Sequence, residues 1–296
     1  MPGAKFIDPV VLSRIGNLEL IAKTVVDGLI NGTHRAPFYG ASVDFAEHRG
    51  YVPGDDIRRL DWRVYARTDK YYIKEFEADS NANFSVLLDV SKSMGFGGKI
   101  SKLDYAKTLA GCLAYLANAQ RDRVGLITFD SEVVEHIPPS AKHLDVVLHA
   151  IDRAKPARPG NLVGPLRKLA EHFGRRGIII VISDFYAEPD EVFHAVGPLV
   201  QRGNDVALFH VLDPQEIDFS FTEPSSFEDM ESGDQMPIVP SKLAEDYRAL
   251  VQAHIETLTK KSAQQPVDYM LLNTNMPLDF ALFRFLSMRQ RLARTR

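Results

Sequence analysis

From residue 81 onward, short apolar runs alternate with longer amphipathic stretches. The apolar runs are the length of buried strands, and the longer stretches repeat their apolar positions at helical spacing. The predicted strands are Phe84–Asp89, Arg123–Phe129, Glu132–Ile137, Gly177–Ser183, 205–212 and Val267–Leu272. The predicted helices are 101–119, 142–153, 164–173, 188–202, 241–264 and 278–293. This alternation predicts an α/β fold, in which a mostly parallel sheet carries helices on both faces.

The order of the strands follows from the lengths of the connections. Glu132–Ile137 comes directly after a strand, so it must be an antiparallel edge strand, because a parallel partner needs a long crossover. Six strands then fit the doubly wound order 3-2-1-4-5-6. In that order the first strand and the fourth strand flank the switch point, where ligands bind beyond the carboxyl ends of the strands.

The first 80 residues have a different pattern. Residues 9–31 are predicted as one amphipathic helix that ends before Gly32. Residues 33–80 are rich in glycine, proline and aromatic residues, and they predict short strands at Asp44–Glu47 and Tyr71–Glu77 around a turn at Pro53–Asp56. The predicted domains are therefore an N-terminal helix with a β-subdomain, residues 1–80, and an α/β domain, residues 81–296. Residues 213–241 interrupt the second domain as an acidic excursion with short strands.

Composition narrows the classes of function. The 296 residues are 45% hydrophobic and 25% charged, with a net charge of −4, which excludes a general nucleic-acid binder with a strongly basic face. The single cysteine, Cys112, favours a reducing compartment. No signal peptide and no membrane-spanning apolar run is visible, and we expect a cytoplasmic protein.

Oxygen-bearing side chains cluster after the first strand. Asp89, Ser91 and Ser93 are spaced at i, i+2 and i+4, and Asp184 follows the fourth strand. In the predicted sheet order these residues meet at the switch point. Carboxylates and hydroxyls are hard-oxygen ligands that suit Mg²⁺, Mn²⁺ or Ca²⁺. The alternative is structural, since Asp and Ser after a strand often cap the next helix.

The segment Phe84–Met94, FSVLLDVSKSM, resembles the first strand and metal motif of von Willebrand factor A-type domains. The resemblance implies a metal-ion-dependent adhesion site in which Asp89, Ser91, Ser93 and Asp184 hold Mg²⁺, or Mn²⁺ or Ca²⁺. The threonine of the family is missing, because Gly160 stands where it is expected. Either Asn161 lends an amide oxygen in its place or water replaces the missing hydroxyl, and the metal is expected to bind weakly.

Motifs in the N-terminal region point to one subfamily of these domains. Phe45–Gly54, Asp55–Arg58, Asp61-Trp62 and Ala66-Arg67 resemble a bacterial subfamily of these domains that is labelled as a domain of unknown function. Its genes commonly accompany MoxR-type AAA+ ATPases. The resemblance implies a non-enzymatic adaptor or co-chaperone of such an ATPase, with the metal capturing an acidic side chain of a client protein. It implies neither a nucleic-acid partner nor a membrane span.

Two rival functions stay open at the level of the sequence. One is a scaffold with a degenerate, metal-free site. The other is a metal-dependent phosphatase of the haloacid-dehalogenase type, although such enzymes need D-x-D and Ser91 replaces the second acid. A phosphate-binding loop at Ser93–Ile100 is excluded, because Ser93 and Ile100 depart from the required glycine and hydroxyl residue.

Overall fold

The computed structural model divides the chain into two compact units, residues 1–34 with 82–296, and residues 35–81. It describes residues 9–12, 16–31, 45–51, 60–76, 82–170, 173, 177–221, 223, 225–230 and 233–295. The N-terminal helical residues thus lie in the larger unit, whereas the sequence placed them with residues 33–80. The predicted domain boundary at residue 80 stays a prediction.

The N-terminal helical segment is interrupted. Helix α1 spans Pro9–Leu12 and helix α2 spans Leu18–Asn31. Asn17 begins α2, because its side-chain oxygen accepts a hydrogen bond from the Leu20 backbone N–H at 2.9 Å. The prediction of one continuous helix over 9–31 was therefore wrong. The helical spacing of apolar residues continues across Gly16-Asn17, but a second helix begins at these residues.

In the described residues of the smaller unit, 45–51 and 60–76, a two-stranded antiparallel sheet is accompanied by a helix. Strand β1 (Phe45–Gly50) pairs with strand β2 (Tyr72–Phe76), close to the two predicted strands. Helix α3 (Trp62–Thr68) lies between them in the chain and was not predicted. The predicted turn at Pro53–Asp56 lies outside the described residues. Tyr65 and Tyr71 stack with ring centroids 4.6 Å apart on the surface of this unit.

The larger unit is built on a six-stranded sheet. Its strands in chain order are β3 (Asn83–Asp89), β4 (Arg123–Phe129), β5 (Val133–Ser140), β6 (Gly177–Ser183), β7 (Asp205–Leu212) and β10 (Val267–Asn273). The order across the sheet is β10-β7-β6-β3-β4-β5, and every pair is parallel except β4 with β5. Counted from the first strand of this sheet, this is the predicted order 3-2-1-4-5-6, the von Willebrand factor A-like arrangement.

Helices cover both faces of this sheet. They are α4 (Lys102–Ala119), α5 (Leu144–Arg153), α6 (Val163–Ala170), α7 (Pro189–Gln201), α9 (Pro240–Ala263) and α10 (Leu278–Thr295). Helices α6, α7 and α9 bury Leu166, Val196 and Leu258 in one core with Leu87 and Val181 of the central strands. Helices α2, α5 and α10 pack around α4, which contacts β3 and β4. No helix among the described residues is long and apolar enough to cross a bilayer.

Strand β5 closes one edge of the sheet and carries two consecutive prolines, Pro138 and Pro139. The carbonyl oxygen of Pro138 lies 2.8 Å from Nδ1 of His143. A proline has no backbone N–H, so prolines are confined to sheet edges. The predicted antiparallel edge strand is confirmed.

The acidic excursion contains a short helix and a hairpin. Helix α8 (Pro214–Asp218) follows β7, and strands β8 (Ser225–Glu228) and β9 (Gln235–Ile238) pair antiparallel. Phe219 ends α8 in the left-handed conformation, with φ of 44°, and stacks on Phe227 of the hairpin at 5.9 Å between centroids. The short strands predicted here are confirmed.

Candidate functional site

The carboxylates of Asp89 and Asp184 lie at the carboxyl ends of neighbouring strands. Asp89 is the last residue of β3, Asp184 follows β6, and the two strands are paired in parallel register. Both side chains are buried, with 5% and 4% exposure. The serine before Asp184 links the two strand ends, because Ser183 Oγ donates to Asp89 Oδ2 at 2.6 Å. The predicted placement of both acids at the switch point is confirmed.

Asp89 is a buried carboxylate with few compensating partners. Its Oδ1 accepts a hydrogen bond from the Ser91 backbone N–H at 2.9 Å, in addition to the bond from Ser183. Burial, and after it the charge of Asp184, raise the pKa of Asp89 to about 7, although the hydrogen bonds from Ser183 and Ser91 lower it. Each oxygen keeps a lone pair that the two hydrogen bonds do not use. The site therefore favours a nearby positive charge.

The hydroxyls of Ser91 and Ser93 stand side by side next to Asp89. A short 3-10 helix, Lys92–Gly95, curls the loop so that Ser91 Oγ and Ser93 Oγ are 3.1 Å apart. Adjacent ligands of an octahedral Mg²⁺ at about 2.1 Å are roughly 3 Å apart, so this separation fits two neighbouring coordination positions. It also fits a hydrogen bond between the hydroxyls. The donor set is thus compatible with a divalent cation.

Asp184 has a different partner, which the sequence analysis missed. The ammonium group of Lys102 donates to Asp184 Oδ2 at 2.8 Å and to Glu216 Oε1 at 2.7 Å. The Lys102 side chain has 0% exposure, and its Nζ lies 4.8 Å from the centroid of the Tyr186 ring. The available signal was that Lys102 shares the apolar face of α4 with Tyr105, which lies three residues later and is also fully buried.

The electrostatics of the ion pair keep Lys102 charged. Burial by itself lowers the pKa of Lys102, but Asp184 and Glu216 outweigh burial, and the pKa ends above its ordinary value. For Glu216 burial is the larger effect, and its pKa is raised although Lys102 lowers it. The pKa values of Lys102 and Glu216 respond differently because one ammonium group is shared by two carboxylates. Asp184 therefore already has a cation, whereas no cationic side chain among the described residues pairs with Asp89.

Asn161, the expected substitute for the missing threonine, is exposed and has another contact. Its side-chain oxygen accepts a hydrogen bond from the Gly164 backbone N–H at 3.1 Å, at the start of α6. Its backbone N–H donates to the carbonyl of Asp130 at 3.2 Å. The side chain is thus placed as a helix cap. A role for Asn161 as a metal ligand stays a prediction.

The acidic excursion, residues 213–241, lies beside the loop that joins β3 to α4. This loop, residues 90–101, is called the serine loop. Asp213 Oδ2 accepts hydrogen bonds from the Gly98 backbone N–H at 3.3 Å and from Thr274 Oγ1 at 3.0 Å. A methyl group placed on Gly95 would lie 3.6 Å from the terminal methyl of Met230, in the hairpin turn. The excursion therefore forms one wall of the candidate site.

A metal site made only of His, Cys, Asp or Glu side chains is not found in the described part of the chain. No group of three or more His, Cys, Asp or Glu side chains is arranged there to hold a metal. A cation at this site would therefore depend on the serine hydroxyls. A phosphatase of the haloacid-dehalogenase type would need a second acid where this chain has Ser91. The Ser91 hydroxyl lies within hydrogen-bonding distance of the Ser93 hydroxyl.

Comparison with known proteins identifies one family and distant structural relatives. Residues 47–257 match the family described as "Protein of unknown function DUF58". The uncharacterized protein Rv1480 of Mycobacterium tuberculosis is 27% identical over 293 residues, which cover 96% of this chain and 91% of that protein.

Two solved structures share parts of the architecture. BatB, a conserved hypothetical protein from Bacteroides thetaiotaomicron, is 18% identical, with a TM-score of 0.47, over 70% of this chain and 98% of BatB. The SpRpn10 VWA domain is 10% identical, with a TM-score of 0.39, over 69% of this chain and 94% of that domain. At these low scores the fold assignment depends on the order of the strands in the sheet.

Proposed function

The chain belongs to the DUF58 family, a family of unknown function, and we propose that it is a non-enzymatic protein-interaction module. The observation that carries this proposal is the arrangement at the carboxyl edge of the sheet. There a buried carboxylate, Asp89, lies beside the paired hydroxyls of Ser91 and Ser93, on a rigid strand end. Such a site suits capture of a ligand by a metal or by hydrogen bonds.

We propose that Asp89, Ser91 and Ser93 hold a divalent cation, Mg²⁺ or alternatively Mn²⁺ or Ca²⁺. When bound, the cation would supply an open coordination position for a carboxylate of a partner protein. The protein's own residues prepare this position. Ser183 and the Ser91 N–H orient the Asp89 carboxylate, and the curled loop brings the two hydroxyls together. Asp184 and Asn161 contribute, in this proposal, through water or after rearrangement.

We further propose that the partner is a MoxR-type AAA+ ATPase, with a client protein that offers an acidic side chain, in the cytoplasm. The support for this partner is the resemblance of the N-terminal motifs and the serine motif to the bacterial subfamily found beside such ATPases. The proposed role is that of an adaptor or co-chaperone.

The test is co-purification of the tagged chain at native expression, with bound proteins identified by mass spectrometry. We expect the wild type to retain an AAA+ ATPase in Mg²⁺ and to lose it in EDTA. Asp89→Ala should lose it in both buffers. Asp130→Asn is the matched control, since Asp130 is a buried acid at the end of the neighbouring strand whose Oδ1 accepts a hydrogen bond from the Glu132 backbone N–H.

One observation favours a second candidate, a metal-free scaffold. Lys102 already supplies Asp184 with a positive charge, so the site can persist without a cation. In that case the partner would be retained equally in Mg²⁺ and in EDTA, and Asp89→Ala would bind it normally. That result would contradict the metal-dependent function and place the interface elsewhere on the chain.

A further inference from the structure

Lys102 connects the candidate metal site to the excursion through buried charges. Its ammonium group bridges Asp184 Oδ2 and Glu216 Oε1, and it lies against the face of Tyr186. Asp184 and Glu216 come from different elements, the end of β6 and helix α8. Breaking one side of a fully buried ion pair costs far more than breaking an exposed one, because the remaining charge has no water. The bridge therefore holds Asp184 firmly in its present position.

Glu216 is itself fixed, so the bridge has a rigid anchor. Its second oxygen, Oε2, accepts a hydrogen bond from the Asp213 backbone N–H at 2.8 Å, and the Asp213 carboxylate caps α8 in return. Asp213 is held to the serine loop by Gly98 and to the strand β10 end by Thr274. Asp184 cannot turn toward the serines without breaking a contact in this connected set.

The ionisable side chains at the site carry more negative than positive charge. Asp89, Asp184 and Glu216 carry three negative charges when ionised, and Lys102 carries one positive charge. The ammonium occupies Asp184 Oδ2, so a divalent cation would meet electrostatic repulsion from Lys102 on that side. In the part of the chain that the structure describes, no lysine or arginine forms an ion pair with Asp89.

We propose that Lys102 is a positioning residue that withholds Asp184 from a divalent cation and thereby keeps the affinity of the site low. This inference deepens the proposed function and rests on its metal site at Asp89, Ser91 and Ser93. In the wild type, these three residues bind the cation directly, and Asp184 reaches it only through water. Without the ammonium, Asp184 becomes an additional ligand.

The test measures Mg²⁺ and Mn²⁺ binding by titration calorimetry on variants that keep the charge constant. Lys102→Met alone leaves two buried carboxylates without a cation, which endangers the fold. The informative protein is the double variant Lys102→Met/Glu216→Gln, which has the same net charge of −2 at the site as the wild type. We expect it to bind Mn²⁺ at least about tenfold more tightly, in the range typical for residues that orient metal ligands.

A second comparison separates positioning from a general effect on the fold. Asp184→Asn should change the Mn²⁺ affinity of the wild type by less than about twofold, but it should remove the whole gain of the double variant. Thermal melts verify that all proteins are folded. Equal effects of Asp184→Asn in both backgrounds would overturn the role of Lys102.

The remaining outcomes distinguish this inference from the proposed function. If the wild type and the double variant bind equally, and Asp89→Ala abolishes binding, Lys102 has no such role while the metal site stands. If only the double variant binds, and does so through Asp89, Lys102 has the proposed role and the wild type acts without metal. If no protein binds a divalent cation, both the metal site and the role of Lys102 are refuted.

Discussion

Replacing Asp89 by asparagine should stabilise the metal-free protein at alkaline pH. Asp89 is buried beside Asp184, and its pKa is raised from 3.8 to about 7, so its ionised form opposes folding. Asparagine has nearly the same shape and no charge. Its amide oxygen can accept the hydrogen bond that Asp89 Oδ1 accepts from the Ser91 N–H.

The size of the effect follows from linkage. A shift of about three pKa units corresponds to about 4 kcal/mol between the protonated and ionised forms, which sets the ceiling. The substitution also disturbs the hydrogen bond from Ser183 Oγ, because the amide group would donate there, at a cost of about 1–2 kcal/mol. We expect a net gain of about 1–3 kcal/mol in the free energy of unfolding at pH 8.

The pH dependence has a definite sign. An acid whose pKa is raised by folding costs nothing below its ordinary pKa, where it is protonated in both states. The cost grows as pH rises from about 4 to about 7 and then stays constant. The advantage of Asp89→Asn over the wild type should therefore be absent at pH 4 and reach a plateau above pH 7.

The assay is urea unfolding in EDTA between pH 4 and 8.5, with Asp130→Asn as the control for removal of a buried acid. Repetition in Mg²⁺ should stabilise the wild type by about 2.7 kcal/mol at one hundred times the dissociation constant, and leave Asp89→Asn unchanged. A variant that is less stable than the wild type at pH 8 in EDTA, or a difference that does not vary with pH, would refute the reasoning and make Asp89 a structural cap.

Three further predictions concern the serine loop, the core of the sheet and catalysis. Gly97→Ala should lower the free energy of unfolding by about 2 kcal/mol or more and weaken Mg²⁺ binding in calorimetry, because the new methyl would clash with the carbonyl oxygen of Ile100. Gly98→Ala, with nothing nearer than 3.9 Å, should change neither quantity. Burial lowers the pKa of His210 to about 3, so its neutral form favours folding fully above pH 6.5 and this stability is lost as pH falls toward 3. In urea unfolding, the wild type should therefore lose about 1 kcal/mol of unfolding free energy per pH unit below pH 6, and His210→Gln should not show this loss. A variant as sensitive to acid as the wild type would contradict this. The purified chain should not hydrolyse ATP, GTP or p-nitrophenyl phosphate, and metal-stimulated turnover that disappears in Asp89→Asn would favour the phosphatase.

The fold could be predicted from sequence because its central strands, β3, β6 and β7, are buried on both faces. Gly177–Ser183 consists almost entirely of β-branched apolar residues, which are typical of a central parallel strand. The short connection before β5 then predicted an antiparallel edge strand, and the six strands fitted the doubly wound order. The meeting of Asp89 and Asp184 followed from this order alone.

The partner of Asp184 could not be predicted in the same way. Lys102 is separated from Asp184 by 82 residues and from Glu216 by 114, and a lysine in the first turn of a helix ordinarily extends into water. Its burial depends on α8, a five-residue helix that the sequence analysis did not separate from the acidic excursion. Local patterns carry no information about such a long-range ion pair.

The two prolines of β5 have a consequence for how copies of this chain meet. An exposed sheet edge normally offers alternating donors and acceptors on which another molecule can lay down a strand. At Pro138 and Pro139 the donors are missing, and His143 occupies the carbonyl oxygen of Pro138. This half of the edge therefore resists the growth of continuous intermolecular sheets. Even at a high concentration, the folded protein is thereby protected from fibre-like self-association along β5.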